Sequence, residues 1–142
     1  MSEISHAYTR HVHFADTDAA GVVHFSKILC FVEEAEHAYL LGLGFDVVSE
    51  REGWPIVKVD VDYRRPLKFN DEVDISIEPF SGGKSSVTWS FGVFCDGMLV
   101  AEGIITTVRV DGSGKPVEIP QVLRERIEEA SSEIDEEDED DE

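Results

Sequence analysis

Two carboxylates, Asp16 and Asp18, stand two residues apart ahead of a glycine, Gly21, and an amphipathic segment whose first turn carries His24 and Phe25. The order DTDAAGVVHF therefore sets an anionic side chain beside a helix N-terminus. The opening turn of a helix presents unpaired N–H groups and partial positive charge, so it can polarise a carbonyl placed against it. A carboxylate next to such donors is equipped for acyl transfer. It attacks the carbonyl carbon itself, or it takes the proton of an attacking water, while N–H groups around Val23 to Phe25 hold the developing oxyanion. Gly21, with no Cβ, lets the backbone of the turn, Gly21 and Val22, come close to a bound group.

Positioning these residues requires a strand, a turn and a helix in that order. Residues 6–14, HAYTRHVHF, alternate as a strand. From Val22 to Leu41, Ile28, Val32, Ala35, Tyr39 and Gly42 keep the spacing of one buried helical face, with Lys27, Glu34, His37 and Leu41 flanking the other side. GLGF at 42–45 is a helix stop. Four strand patterns follow at 54–63, 71–80, 85–95 and 98–110, the last two joined by Asp96-Gly97, a strong hairpin dipeptide. A short helix is predicted over Leu123–Ala130. One long helix among strands in antiparallel sequence must bury its apolar face on the sheet, an α+β arrangement.

The chain has 142 residues, enough for one domain with its own core. Its net charge of -19 is concentrated at the end, where nine of the 31 acidic residues occupy the last ten positions. A domain over 1–130 and a disordered acidic tail over 131–142 are expected, because SSEIDEEDEDDE offers little apolar surface to bury. The acidic body lacks the basic footprint of a nucleic-acid binder. No apolar run approaches the roughly 20 residues of a membrane span, and MSEISHAYTR is not a secretory signal, so a cytoplasmic setting is expected. Cys30 and Cys95 form no CxxC and read as small buried hydrophobes. His11 and His13 share a strand face, but no third and fourth ligand at metal-binding spacing joins them, and no metal is expected.

The segment DTDAAGVVHF, the helix ending VEEAE, the later DYRRPLKFNDEV and the turn GGKSS together resemble the 4-hydroxybenzoyl-CoA thioesterase branch of the hotdog-fold superfamily. The resemblance spans about residues 7–127. It implies a hotdog fold, with an antiparallel five-stranded sheet wrapped around one long central helix, and an acyl-CoA thioesterase that works without metal or cofactor, CoA being part of the substrate. It also implies a homo-oligomer, a dimer or dimer of dimers, with its active site at the dimer interface. The family's catalytic carboxylate is the second acid of D-x-D, which is Asp18, leaving Asp16 to cap or brace the turn. The AAGVVxF version is similar to the dihydroxynaphthoyl-CoA hydrolases as well.

Where many members carry tyrosine and then histidine after GVV, this chain has His24 and then Phe25. His24 is a candidate to orient water, bond Asp18 or protonate the leaving thiolate. Glu33 matches the family's helix glutamate and, with Glu34, is the rival base. The resemblance points to basic and hydroxyl residues for CoA: Arg64, Arg65, Lys68, Lys84, Ser85 and Ser86. Phe25, Trp54 and Tyr63 are candidates to line an acyl pocket, with Phe31 and Ile56. Two other readings are open, a non-catalytic acyl-CoA binding or regulatory hotdog module and a hotdog hydratase or dehydratase. The latter lacks its D-x-N-P-x-H type of signature here.

Overall fold

In a computed structural model, residues 6–47 and 51–140 are described. Met1–Ser5, at the start of MSEISHAYTR, and the tail's last two residues lie outside them. The chain runs through β1 (His6–His11), a 3-10 turn (Phe14–Asp16), α1 (Phe25–Gly42), β2 (Glu52–Gly53), β3 (Ile56–Tyr63), β4 (Glu72–Gly82), β5 (Ser86–Cys95), β6 (Met98–Val108), β7 (Val110–Asp111) and α2 (Gln121–Asp140). Five strands form one sheet in the order β1-β4-β5-β6-β3, and β2 pairs with β7 in a separate ribbon.

Local chemistry explains the antiparallel pairing. β1 runs against β4 from His6 opposite Ile77 to His11 opposite Glu72. Asp96 and Gly97 both take positive φ, 53° and 77°, the two-residue turn whose twist matches a hairpin. Along the β6–β3 seam, the Arg64 N–H donates to the Val100 carbonyl and the Val108 N–H to the Pro55 carbonyl. Gly103 sits on this seam, where a Cβ would collide with the Asp60 carbonyl oxygen. β3 is an edge strand, and it leaves Val57, Val59 and Tyr63 exposed.

The chain divides into two compact units. One comprises Met1–Phe45, Asp60–Ile77 and Phe91–Gly103, the other Asp46–Val59, Glu78–Ser90 and Ile104–Glu142. In the first, Ile28, Phe31, Val32, Ala35, Tyr39 and Leu40 bury one side of α1, and Val73, Ile75, Ile77 and Val93 are among the buried strand residues of the same unit. In the second, Val87, Trp89, Ile105, Ile119 and Leu123 are buried, and the Trp89 Nε1–H donates to the Thr107 hydroxyl at 3.0 Å.

Several expectations need correction. The first strand stops at His11 because the chain tightens into the 3-10 turn at Phe14. The helix begins at Phe25 rather than Val22, since Val22 and Val23 form extended bridges with Lys68 and Thr17. Gly42 lies on the exposed end of α1, not on its buried face, and Cys30 is exposed rather than buried. The C-terminal helix does not end at Ala130. It continues to Asp140, through ten residues read as disordered, because extending an existing helix is far easier than nucleating one and glutamate is a good helix former.

Candidate functional site

The acid loop is built by short-range hydrogen bonds in the first unit. The Asp18 N–H donates to the Val22 carbonyl and the Gly21 N–H to the Asp18 carbonyl, at 2.8 and 3.0 Å. The Asp18 side chain closes the same turn: its Oδ1 accepts from the N–H groups of Ala20 (2.8 Å) and Val22 (3.3 Å). Oδ2 has no hydrogen-bond donor among the described residues, and Asp18 is exposed. One oxygen thus fixes the rotamer while the other remains available. Gly21 takes φ 83°, and a Cβ there would meet nothing within 4 Å, so its backbone conformation explains the glycine.

Not all of the N–H groups from Val23 to Phe25 are without a partner. The Val23 N–H is committed to the Leu67 carbonyl at 2.8 Å. His24 is the N-cap of α1, its Nδ1 accepting from the Ser26 N–H at 3.3 Å and lying 2.8 Å from the Ser26 hydroxyl. The Lys27 N–H bonds the His24 carbonyl. Phe25 is left with a backbone N–H that has no acceptor among the described residues, directly beyond the acid loop, whereas the His24 N–H faces the Asp16 carbonyl across the Thr17–Val23 bridge. Tyr63 donates its hydroxyl to the Phe25 carbonyl at 3.0 Å, and burial pushes its phenol above the ordinary range. The Phe25 ring meets Tyr63 edge-on at 6.1 Å and lies 4.4 Å from the His24 ring.

Asp16 has the supporting part. It is buried, and its Oδ2 accepts from the His13 N–H and from Arg10 Nη2, both at 2.8 Å. Arg10 also reaches Glu34 through Nη1, at 3.1 Å to Oε1 and 2.8 Å to Oε2, with its guanidinium 4.1 Å above the Phe31 ring. The Tyr8 hydroxyl donates to Glu34 Oε1 at 3.1 Å, and burial together with the Glu34 charge raises its pKa. An open cleft of about 590 Å³ is lined by Tyr8, Arg10, His11, His13, Asp16 and Glu34. His11 lies 3.6 Å from Glu72, and no group of three His, Cys, Asp or Glu suited to a metal ion occurs among the described residues.

The structure brings Asp18, Gly21, Val22, Val23, His24 and Phe25 together, with the segment from Tyr63 to Lys68 alongside through the Tyr63–Phe25, Leu67–Val23 and Lys68–Val22 contacts. Arg64 and Arg65 in that segment line a second cleft, about 540 Å³, with Gly97, Met98 and Leu99. Trp54, Lys84, Ser85 and Ser86 belong to the second unit. Trp54 is not an open pocket wall: it is 5% exposed, with the Arg109 guanidinium 5.9 Å from its ring. Ser86 Oγ accepts from the Gly83 N–H at 3.1 Å, and the Ser85 carbonyl from the Arg109 N–H, so both serve their turn and strand.

Glu33 is half-buried on α1, but sequence reasoning missed the helix's least ordinary carboxyl, Glu36. Glu36 is fully buried, neither oxygen accepts a hydrogen bond, and His37 Nε2 stands 3.5 Å from Oε1. Burial, reinforced by the Glu33 charge, pushes its pKa up to about 8. The signal was the row Ile28, Val32, Glu36, Leu40, spaced four apart, in which one acid interrupts an apolar stripe.

One long helix against a five-stranded antiparallel sheet is the architecture of the hotdog-fold thioesterases as a class. Residues 12–127 match the model of the thioesterase-like superfamily, and the chain belongs to that family. The 1,4-dihydroxy-2-naphthoyl-CoA hydrolase of Picosynechococcus is 38% identical over 95 residues, 64% of this chain and 65% of its own length. That of Nostoc punctiforme is 33% identical over 129 residues, covering 84% of this chain and 87% of the relative. Among solved structures, a gentisyl-coenzyme A thioesterase superposes with a TM-score of 0.77 at 28% identity, covering 85% of this chain and 98% of that one. A 1,4-dihydroxy-2-naphthoyl-CoA thioesterase from Synechocystis shares the fold with a TM-score of 0.76 at 22% identity, over 87% and 95% of the two chains. No helix among the described residues is long and apolar enough to cross a membrane.

Proposed function

We propose that this acyl-CoA thioesterase hydrolyses an aromatic acyl-CoA, with Asp18 as general base or nucleophile. The observation that carries the reading is the Asp18 carboxylate itself, anchored through Oδ1 with Oδ2 unengaged, at the mouth of a helix whose first N–H, that of Phe25, has no acceptor among the described residues. As base, Asp18 takes a proton from water as its oxygen bonds to the thioester carbon. The carbonyl oxygen becomes an oxyanion held by the Phe25 N–H group, worth about 3 to 4 kcal/mol in comparable sites. Collapse expels the CoA thiolate, which recovers the proton from Asp18. As nucleophile, Asp18 forms an acyl anhydride that water then opens. Neither route needs anything beyond acyl-CoA and water.

The exposed rings of Phe25 and Tyr63 beside the donor favour an aryl group, since offset and edge-on ring contacts add to simple burial. The relatives' names point the same way, toward hydroxylated aromatic acids of the 4-hydroxybenzoyl, gentisyl or dihydroxynaphthoyl kind. Arg64 and Arg65 take a CoA phosphate in their cleft. His24, with Nδ1 on Ser26, acts first as the helix cap. The edge of β3, with Val57 and Val59 outward, is the strand on which a second copy pairs. Two free cysteines suit a reducing, cytoplasmic setting.

The test is release of free CoA from a panel of aromatic and aliphatic acyl-CoAs. Asp18→Asn is expected to lower kcat at least about 100-fold on the preferred substrate, the range of a lost general base. Undiminished turnover by Asp18→Asn would overturn the role of Asp18, and tight binding without CoA release by the wild type would overturn the enzymatic reading.

A further inference from the structure

Resting on the reading of Asp18 as the carboxylate at the reacting centre, we propose that Arg10 is a positioning residue for thioester hydrolysis, setting the Asp18 loop against the N-terminus of α1. The guanidinium joins three otherwise separate elements. Its own backbone is fixed in β1, opposite Val73 of β4. Nη2 holds Asp16, two residues before Asp18, and the same Asp16 oxygen accepts from the His13 N–H, so the bond grips the 3-10 turn and not merely a loose side chain. Nη1 holds both oxygens of Glu34 on α1.

The two tethers end on the two halves of the reacting centre. Asp16 leads through Thr17, bridged to Val23, into the turn that carries the carboxylate. Glu34 belongs to the helix that carries the oxyanion donor at its start. A change in Arg10 therefore alters the distance between base and donor without removing either. Shifts of this kind are expensive because proximity effects decay over about 1 Å, where a 100-fold loss of rate is typical.

Only arginine fits the task. The side chain is 11% exposed, sits over the Phe31 ring and serves two carboxylates in different directions. A planar fork with five donors does this, whereas an ammonium is a point charge that neither stacks nor spans both acids. Tyr8 completes the arrangement by donating to the same Glu34 oxygen that Arg10 Nη1 approaches at 3.1 Å. The side chains of Arg10, Glu34 and Tyr8 hydrogen-bond neither Asp18 nor Phe25, so the effect is expected in kcat and not in substrate capture.

The experiment is a double-mutant cycle on CoA release in the full chain, with Arg10→Met, Arg10→Lys and Glu34→Gln measured alone and combined with Asp18→Asn. Arg10→Met is expected to lower kcat roughly 10- to 100-fold with KM changed less than about threefold, Arg10→Lys to recover part of that loss, and Glu34→Gln to lose less than Arg10→Met. In the Asp18→Asn background the same changes should have almost no further effect, since the group they position is already gone. Equal losses in both backgrounds, or losses that follow the thermal midpoint instead of the Asp18 background, would show Arg10 to be a structural staple and overturn the proposal. Should Arg10→Met fail to fold, Arg10→Lys and Glu34→Gln carry the same cycle. If Asp18→Asn keeps full turnover, the reading of Asp18 falls and this role with it; if Asp18→Asn is impaired while Arg10→Met is not, only the role of Arg10 falls.

Discussion

Arg10 and Arg109 keep similar company. Each guanidinium bonds a glutamate carboxylate and approaches an aromatic ring: Arg10 with Glu34 and Phe31 in the first unit, Arg109 with Glu52 and Trp54 in the second. They differ in what the remaining donors hold. Arg10 spends them on Asp16 and so on the turn before Asp18, whereas Arg109 Nη1 donates to the Glu118 carbonyl, tying the chain ahead of α2 to the β2–β7 ribbon. The same chemical device braces the Asp18 loop in one unit and a scaffold in the other. What a buried arginine does is decided by its third partner, not by its ion pair.

The comparison is broken most sharply by activity. Arg109→Met should leave kcat within about twofold of wild type while Arg10→Met loses the roughly 10- to 100-fold already argued, both read by CoA release. Equal effects would erase the distinction. Next in size is stability: removing Arg109 strips one charge-assisted bond from the partly buried Glu52 carboxylate and one from the exposed Glu118 carbonyl, a loss of about 1.5 to 3 kcal/mol each at most. A thermal midpoint lower by about 3 to 10 °C is expected for a chain of this size, measured by calorimetry or circular dichroism.

A third carboxylate sharpens the contrast because no arginine serves it. Glu36 is buried with both oxygens unbonded, and its pKa of about 8 lies above the ordinary 4.5. The folded state therefore keeps the proton over a range where the unfolded state releases it. Stability from this group is fully present below pH 4.5 and is lost as pH rises through 8. The slope is on the order of 1 kcal/mol per pH unit at most. Glu36→Gln, which stays neutral, should flatten the fall in thermal midpoint between pH 5 and about 9. An unchanged pH profile would mean that Glu36 is ionised in the fold.

Much of the acid loop was legible because it is local. Asp18, Ala20, Val22 and the helix start interact within a few residues, and turn chemistry of that range is written in adjacent letters. The five-stranded sheet was legible from alternation and from Asp96-Gly97 for the same reason. The donor positions were not, because the Val23 N–H is taken by Leu67, 44 residues away by number, and no pattern near Val23 announces it. Arg10 was invisible as a hub since its partners lie six and 24 residues off on different elements. Glu36 was overlooked because helical glutamates are usually solvated, and only its place in a four-residue row betrays it. The helical stretch beyond Ala130 was lost to composition, which measures what a segment can bury and not what it can continue from an anchored turn.

Gly103 has a consequence for assembly. The β6–β3 seam has room there for a hydrogen atom and nothing larger, because the Asp60 carbonyl occupies the space of a side chain. A single methyl would act as a wedge, levering the edge strand outward at the point where a second copy would have to align with it. Gly103→Ala should therefore announce itself as a smaller particle in light scattering before it announces itself as an unfolded one, and a variant that keeps the wild-type mass would show the seam to be more pliant than its geometry implies. On the proposed pairing of copies along β3, assembly hangs on a residue that would never touch the neighbouring subunit.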